Sequence, residues 1–222
     1  IAIMLVGGEG TRLRPLTWRT PKSLVPVLNR PFLEHAFAHL TRHGIDEVVL
    51  AVARNDLAER IRQVAGDGAA YGLRLHYSVE DQALGSAGAF KLAEHFIKDE
   101  TFVGLNGDIL TDLDLSAMIE QHRALASTVT ISLLQVEDPS AFGVVAMDDA
   151  GRITRFVEKP KREDAPSNWI NAGAWIIQRR ALDRVPPDTF VMVEHTLFPQ
   201  LIEAGEPVYG FKSDPFWVDI GV

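Results

Sequence analysis

Apolar and polar residues along the chain form blocks that predict strands and helices in turn. Ile1 to Val6 is a continuous apolar run ended by glycines, as expected for a strand covered on both faces of a parallel sheet. Apolar residues then recur at helical spacing from Pro31 to His43, and Val48 to Ala53 is again an apolar run. This order predicts a β-loop-α-β unit at the start of the chain.

The same alternation continues through the first half of the sequence. Helical patterns cover Asn55 to Ala65 and Ala87 to Ile97, and strand patterns cover Leu73 to Ser78 and Phe102 to Leu105. These elements predict an α/β fold with a doubly wound, mostly parallel, Rossmann-like sheet. Ligands of such a sheet bind beyond the C-terminal ends of its strands.

The pattern changes in the second half, after a helical segment from Leu115 to Leu125. Strand patterns separated by turns follow at Val129 to Val136, Gly143 to Met147, Ile153 to Val157 and Ala172 to Gln178. They predict antiparallel additions beside the parallel sheet. No repeat or long linker interrupts residues 1–222, so we predict one domain with two functional halves, 1–115 and 116–222. A C-terminal continuation beyond Val222 is also expected.

Composition and charge narrow the possible functions. The chain has 222 residues, 46% of them hydrophobic, which is enough for a sizeable core, and it has no cysteine, which excludes disulfides, zinc-thiolate sites and a cysteine nucleophile. With 22 basic and 30 acidic residues, the net charge of −8 disfavours a nucleic-acid partner. The apolar runs are all shorter than the roughly 18 residues of a membrane span. We therefore expect no membrane association, no signal peptide and a cytoplasmic location.

A glycine-rich segment after the first strand carries the strongest chemical signal. Gly7, Gly8 and Gly10 allow backbone N–H groups to approach a polyanion, and Arg12, Arg14 and Lys22 supply positive charge. This pattern indicates a cradle for a triphosphate. It is neither a P-loop nor the dinucleotide fingerprint, because Leu13 stands where the third glycine of that fingerprint is required. A tight turn with a solvated basic loop is the alternative.

Several other residue patterns are weak signals. His35, His39 and His43 recur every four positions, but no acidic residue completes a metalloprotease motif, so we interpret them as one polar helix face. Ser86 lacks the G-x-S-x-G setting of a serine hydrolase nucleophile.

The motif GGEGTRLRPLT, followed by PKSLVPV, resembles the signature of sugar-1-phosphate nucleotidyltransferases, also called NDP-sugar pyrophosphorylases. The resemblance continues in the family's order through EDQALGSAG, LNGD, FGVV, FVEKP, NAG and WVDIG, over essentially the whole chain. Within the family, the sequence is most similar to mannose-1-phosphate guanylyltransferases. The resemblance implies a nucleotide-binding half at 1–115 and a sugar-phosphate-binding half at 116–222.

The resemblance also implies a reaction and a metal. A sugar 1-phosphate would attack the α-phosphorus of a nucleoside triphosphate, releasing pyrophosphate, with Mg²⁺ as cofactor held by Asp108 and Asp219. An oxygen ligand after an apolar strand suits Mg²⁺, although an Asp after Gly is also a common turn residue. The expected catalytic residues are Arg12, Lys22, Asp108 and Asp219.

Two sets of binding residues follow from the matched motifs. The expected nucleotide-binding residues are Leu5, Gly7, Gly8, Gly10, Thr11, Arg12, Lys22, Glu80, Gly85 and Asp108. The expected sugar-phosphate-binding residues are Gly143, Glu158, Lys159, Asn171 and Glu194. Some of these residues also have a purely structural interpretation. Glu158 and Lys159 could form a surface ion pair, Asn171 could simply begin a strand, and Glu194 could interact with a helix dipole.

The acid at position 80 bears on the choice of base. The carboxylate of Glu80 only accepts hydrogen bonds, which suits the donor edge of guanine better than uracil or thymine, so GTP is the favoured donor. Glu80 could instead point to solvent or to an Arg, with neighbouring backbone groups binding the base. Alternatives for the whole chain are a transferase using UTP or dTTP, a regulatory subunit that retains the fold, and a dehydrogenase, the last disfavoured by Leu13. A homo-oligomer is possible.

Overall fold

The computed structural model describes residues 1–8 and 10–221 and contains thirteen strands and five α-helices in that part of the chain. The strands are β1 Ala2–Leu5, β2 Pro26–Val27, β3 Arg30–Pro31, β4 Glu47–Ala53, β5 Arg74–Glu80, β6 Thr101–Asn106, β7 Ile109–Thr111, β8 Val129–Gln135, β9 Gly143–Met147, β10 Ile153–Glu158, β11 Trp169–Gln178, β12 Val208–Lys212 and β13 Trp217–Asp219. The helices are α1 Phe32–Arg42, α2 Asp56–Ala65, α3 Gly85–Leu92, α4 Leu115–Ala124 and α5 Phe198–Glu203.

Nine strands form one mixed sheet, in the order β10-β9-β11-β6-β1-β4-β5, with β8 also paired to β11 and β12 to β8. The strands β6, β1, β4 and β5 are mutually parallel. The second-half strand β11 runs antiparallel to β6, and β8 runs antiparallel to β11. The predicted α/β fold, with a mostly parallel sheet extended by antiparallel strands, is therefore confirmed.

Helices cover both faces of the sheet because the buried parallel strands are apolar on both sides. On β1, Ile3 belongs to the core beneath α3 and α5, while Met4 belongs to the core beneath α1, α2 and α4. Trp175 on β11 is fully buried in the first core, and Phe37 on α1 is 1% exposed in the second. This two-sided packing fixes the sheet and leaves the ends of its strands as the place for chemistry.

Two features of the fold differ from the sequence-based expectations. The histidines on α1 do not form a polar surface face: His39 is buried at 8% exposure, because α1 packs against β7 on that side. The strand predicted to begin at Ala172 begins at Trp169, so Asn171 lies inside β11 and not at its start. A register shift in β11 between Asn171 and Trp175 accommodates Gly173, whose φ of 80° is in the left-handed region.

A small two-stranded sheet outside the main one joins distant parts of the chain. β13 pairs antiparallel with β7, placing Asp219 opposite Ile109. The backbone N–H of Ile220 also donates to the carbonyl of Asp108 at 2.9 Å. We call β7 and β13 the ribbon; it brings Asp219 beside the end of β6.

Candidate active site

A cleft of about 660 Å³ lies at the C-terminal ends of the four parallel strands. Each strand contributes the residues that follow it: Gly7 and Gly8 after β1, Asn55 after β4, Asp81 after β5 and Asp108 after β6. This is where a doubly wound sheet binds ligands, because parallel strands end at one edge.

Nine of the predicted site residues line this cleft. Those from the expected nucleotide set are Leu5, Gly7, Gly8, Glu80, Gly85 and Asp108, and those from the expected sugar-phosphate set are Glu158, Lys159 and Glu194. The two sets come from different halves of the sequence. Their meeting in one cavity is what a two-substrate site requires.

Lys22, Asp108 and Asp219 form a charged cluster, and of these three residues Asp108 lines the cleft. The Nζ of Lys22 lies 2.6 Å from Oδ2 of Asp108, and the Lys22 side chain is only 12% exposed. Asp219 Oδ1 accepts the backbone N–H of Gly221 at 2.6 Å. Three predicted catalytic residues that lie up to 197 positions apart in the sequence therefore meet here, Asp219 through the ribbon and Lys22 through its contact with Asp108.

The position of Gly221 tests whether this cluster suits a metal ion. If residue 221 had a β-carbon, that atom would lie 2.8 Å from Oδ1 of Asp219 and 3.3 Å from Oδ2 of Asp108, and it would collide with Nζ of Lys22. Two carboxylates thus converge on a point beside a cationic group. Within residues 1–8 and 10–221 no three His, Asp or Glu side chains are grouped closely enough for a metal. Mg²⁺ characteristically takes one or two carboxylates together with substrate phosphates and water, so the pair fits it.

The glycine-rich segment folds into a compact loop beside this cluster. Gly10 has a φ of 60°, and its carbonyl accepts the hydroxyl of Thr17 at 2.6 Å. Thr11 and Arg12 lie on a short 3₁₀ turn and are exposed. No hydrogen bond or ion pair joins the Arg12 guanidinium to another residue that the structure describes, and Gly10, Thr11 and Arg12 are not among the residues lining the cleft. Their roles stay predictions.

A second acidic group lies on the other side of the cleft. Glu158 at the end of β10 is paired in register with Gly143, where any added side-chain carbon would lie 2.7 Å from Oε2 of Glu158. That oxygen is buried and has no hydrogen-bond partner among the described residues. Lys159 lies 3.8 Å from the other carboxylate oxygen and is 67% exposed. Its φ of 46° is unusual for a non-glycine residue and costs about 1–2 kcal/mol.

Asn171 is oriented by its own strand. Its side-chain oxygen accepts the Trp175 indole N–H at 2.9 Å and the Gly173 backbone N–H at 3.1 Å. Asn171 does not line the cleft, although Asn106, which lies against Gly173, does. A contact between Asn171 and a sugar therefore stays a prediction.

Two carboxylic acids in the cleft have raised pKa values. Burial raises the pKa of Glu80, and the N–H of Leu84, donating to its Oε2 at 3.1 Å, partly opposes that change. Burial also raises the pKa of Glu194, and the nearby charge of Glu158 adds to the effect. Among the described residues no ion pair joins Glu80 to an Arg, and its Oε2 holds the loop that precedes α3.

One residue of this region was set aside by sequence reasoning. The hydroxyl of Ser86, in the first turn of α3, donates to Oε2 of Glu194 at 3.1 Å and accepts the backbone N–H of Val193 at 2.8 Å. The sequence did contain a signal for a role of Ser86, because this residue lies in the first turn of a helix that follows the predicted nucleotide loop. The absence of a hydrolase motif excluded Ser86 as a nucleophile but did not exclude a role in binding or positioning.

Comparisons with known proteins address the family directly. A family model described as nucleotidyl transferase matches residues 1–222. The chain belongs to the nucleotidyl transferase family. This confirms the family predicted from the sequence motifs.

Individual relatives point to the same chemistry with different substrates. A mannose-1-phosphate guanylyltransferase of Mycobacterium tuberculosis is 37% identical over 99% of this chain. A UTP-glucose-1-phosphate uridylyltransferase of Synechocystis is 39% identical over 99% of it. The chain spans about 60% of the length of both curated relatives. HddC from Yersinia pseudotuberculosis, solved with GMP-PN, is 26% identical, with a TM-score of 0.83 over 100% of this chain and 93% of its own.

No helix among the described residues is long and apolar enough to cross a membrane.

Proposed function

We propose that this protein makes an NDP-sugar and pyrophosphate from a nucleoside triphosphate and a sugar 1-phosphate. A phosphate oxygen of the sugar phosphate bonds to the α-phosphorus, and the bond from that phosphorus to the pyrophosphate oxygen breaks. The observation that carries the proposal is the single cleft that holds residues of both predicted binding sets. The names of the relatives support the same reaction class.

Positive charge is the main requirement of this reaction, because its attacking and leaving groups are both anions. The attacking oxygen is already anionic, so the protein contributes positioning and charge stabilisation and no general base. Lys22 and Arg12 bind the triphosphate, with Arg12 stabilising the leaving pyrophosphate. Lys159 binds the phosphate of the sugar. Its left-handed backbone supports this role, since strained residues occur preferentially at functional sites.

Asp108 and Asp219 would hold Mg²⁺. Bound there, the ion would supply positive charge that offsets the negative charge of the substrate phosphates. The residues themselves contribute two negative charges and a backbone fixed by the ribbon. The Nζ of Lys22, 2.6 Å from Oδ2 of Asp108, balances the charge of that carboxylate.

The sugar lies against the second half of the chain. Glu158 offers a buried oxygen that no residue of 1–8 or 10–221 hydrogen-bonds, and this oxygen is available to a sugar hydroxyl. Glu194 provides a second acceptor in the same cleft, and Asn171, which does not line it, is kept as a proposed sugar contact on the resemblance of its motif alone. Gly143 leaves the space that a side chain would otherwise take from Glu158.

GTP is the proposed donor, and a mannose-type 1-phosphate the proposed acceptor. One oxygen of Glu80 holds Leu84, but a carboxylate has further acceptor capacity for the N1–H and N2–H₂ of guanine. The alternative is UTP or dTTP, supported by the uridylyltransferase relative. A non-catalytic subunit is the other alternative; Arg12, Lys22, Asp108, Lys159 and Asp219 are all retained, which argues against it. Cytoplasmic location and a homo-oligomer remain predictions.

A pyrophosphate-release assay over four nucleoside triphosphates and several sugar 1-phosphates, with Mg²⁺, tests the reaction. We expect activity, highest with GTP and mannose 1-phosphate. Release without added sugar phosphate would indicate hydrolysis, and no release in any combination would refute the proposed function.

The role of Glu80 has its own test. Glu80→Gln should lower the kcat/KM ratio of GTP to UTP by about tenfold, because one acceptor for guanine becomes a donor. Glu47→Gln is the matched control, since it makes the same chemical change at the first residue of β4, where the carboxylate pairs with His76 outside the cleft, and it should leave the ratio unchanged. An unchanged ratio in Glu80→Gln, or a parent that prefers UTP or dTTP, would show that Glu80 does not select guanine.

A further inference from the structure

Ser86 connects the two predicted substrate subsites. It stands in the first turn of α3, directly after Gly85, and its hydroxyl reaches across the cleft wall to Glu194 and Val193 in the second half of the chain. The hydroxyl donates to Oε2 of Glu194 at 3.1 Å, with Sδ of Met192 a more distant acceptor at 4.0 Å, and its oxygen accepts the N–H of Val193 at 2.8 Å.

The second bond fixes the element that carries Glu194. Val193 begins a helical turn, residues 193–197, that continues into α5. The first N–H groups of a helix have no partner within it, so a side-chain acceptor is needed when they are buried. Val193 is fully buried, and Ser86 supplies that acceptor. The same hydroxyl therefore fixes both the backbone and the carboxylate at this position.

Backbone hydrogen bonds also connect the segment around Ser86 to the nucleotide side of the cleft. Glu80 accepts the N–H of Leu84, the carbonyl of Leu84 accepts the N–H of Val191, and the carbonyl of Val191 accepts the N–H of Ala87. At Gly85, with a φ of 71°, an added carbon would lie 2.6 Å from the Val191 carbonyl oxygen. The loop that precedes α3 can therefore move little without moving Ser86.

We propose that Ser86 is a positioning residue that holds Glu194 in place for the hydroxyls of the sugar and links that carboxylate to the nucleotide loop. The inference rests on the proposed function. It adds Ser86 to the residues that serve this function, in a role that requires no contact with a substrate. The charged and polar groups facing Glu194 are Glu158 from β10, Ser86 from α3 and the adjacent His195. Of these, Ser86 is the uncharged donor whose removal leaves the carboxylate short of a hydrogen bond.

The test is Ser86→Ala measured with both substrates varied. We expect KM for the sugar 1-phosphate to rise about tenfold, the scale of a lost hydrogen bond to a charged group, with KM for the nucleotide changed less than about twofold. The acidic limb of kcat/KM for the sugar phosphate should move to higher pH, because the Ser86 hydrogen bond lowers the pKa of Glu194. Ser86→Thr keeps the hydroxyl and should restore both values.

A double-mutant cycle separates positioning from loss of fold. In a Glu194→Ala background, Ser86→Ala should add little, because the group it positions is gone. Ser167→Ala is the matched control: its hydroxyl also links two segments, donating to the Val145 carbonyl at 2.6 Å and accepting the Trp169 N–H at 2.9 Å, but away from the cleft.

The outcomes distinguish this inference from the proposed function. An active parent with additive effects of the two substitutions, or with equal rises in both KM values, overturns the role of Ser86 alone. A parent inactive with every sugar phosphate overturns the proposed function, and this inference with it.

Discussion

Acidification should destabilise the protein through His39. The side chain is 8% exposed, and neither ring nitrogen has a hydrogen-bond partner among the described residues. Burial, then the charges of His43 and Arg42, lowers its pKa from 6.5 to about 4, although Asp112 and Asp114 act in the opposite direction. The folded protein thus keeps this imidazole neutral at pH values where the unfolded chain binds a proton.

The direction and size of the effect follow from the two pKa values. The contribution of neutral His39 to stability is complete above pH 6.5, is lost as pH falls from 6.5 to about 4, and changes no further below that. The difference corresponds to at most about 3.4 kcal/mol, and about 2.5 kcal/mol of it is lost by pH ~4.5.

Urea unfolding followed by tryptophan fluorescence, from pH ~7.5 to ~4.5, measures this loss. His39→Leu should lose about 2.5 kcal/mol less over that range than the parent. His95→Leu, at an exposed position, should keep the parental pH dependence. His122 is also buried, with a pKa of about 4, and contributes equally in all three proteins, so the difference isolates His39. Parallel pH profiles for parent and His39→Leu would refute the reasoning.

Further predictions concern the cleft. Asp108→Asn and Asp219→Asn should each reduce pyrophosphate release by orders of magnitude with nearly unchanged melting temperature; near-normal turnover in both would contradict the metal assignment. Lys159→Ala should chiefly raise KM for the sugar 1-phosphate, and Arg12→Ala should chiefly lower kcat; steady-state kinetics showing the reverse would exchange their roles. Gly85→Ala should lower unfolding stability by about 1–3 kcal/mol, since its φ is 71° and the new carbon meets a carbonyl; an unchanged urea midpoint would contradict this.

The sequence predicted what depends on local pattern. The apolar runs before Asp108 and Glu158 placed these acids at strand ends, because a buried strand and the polar residue that ends it are adjacent in the chain. Helix α1 was predicted to within one residue at each end, from its apolar spacing and Gly44.

Features that depend on distant contacts were not predictable in this way. The burial of His39 depends on β7, a three-residue strand whose own partner is β13, more than a hundred residues later. Strand β12 was missed because its half-buried pattern contains Gly210 and is stabilised by pairing with β8. Ser86 reaches Glu194 across 108 positions, a separation at which no local spacing rule applies.

The distance between the carboxylates of Asp108 and Asp219 depends on the local stability of the ribbon. Three residue pairs join β13 to β7, with hydrogen bonds of Ile220 to Asp108 and of Phe216 to Asp112 at the two ends of the ribbon, and Phe216 and Val218 are 57% and 39% exposed. Two-stranded pieces are marginal on their own, and segments with few buried contacts open at a lower free energy than the whole domain. Fraying of the ribbon would therefore move Asp219 away from Asp108 while the nine-stranded sheet stays folded. Any ligand that bridges the two carboxylates must supply the free energy of closing the ribbon, so amide hydrogen exchange at Leu110 and Val218 would slow as the site fills.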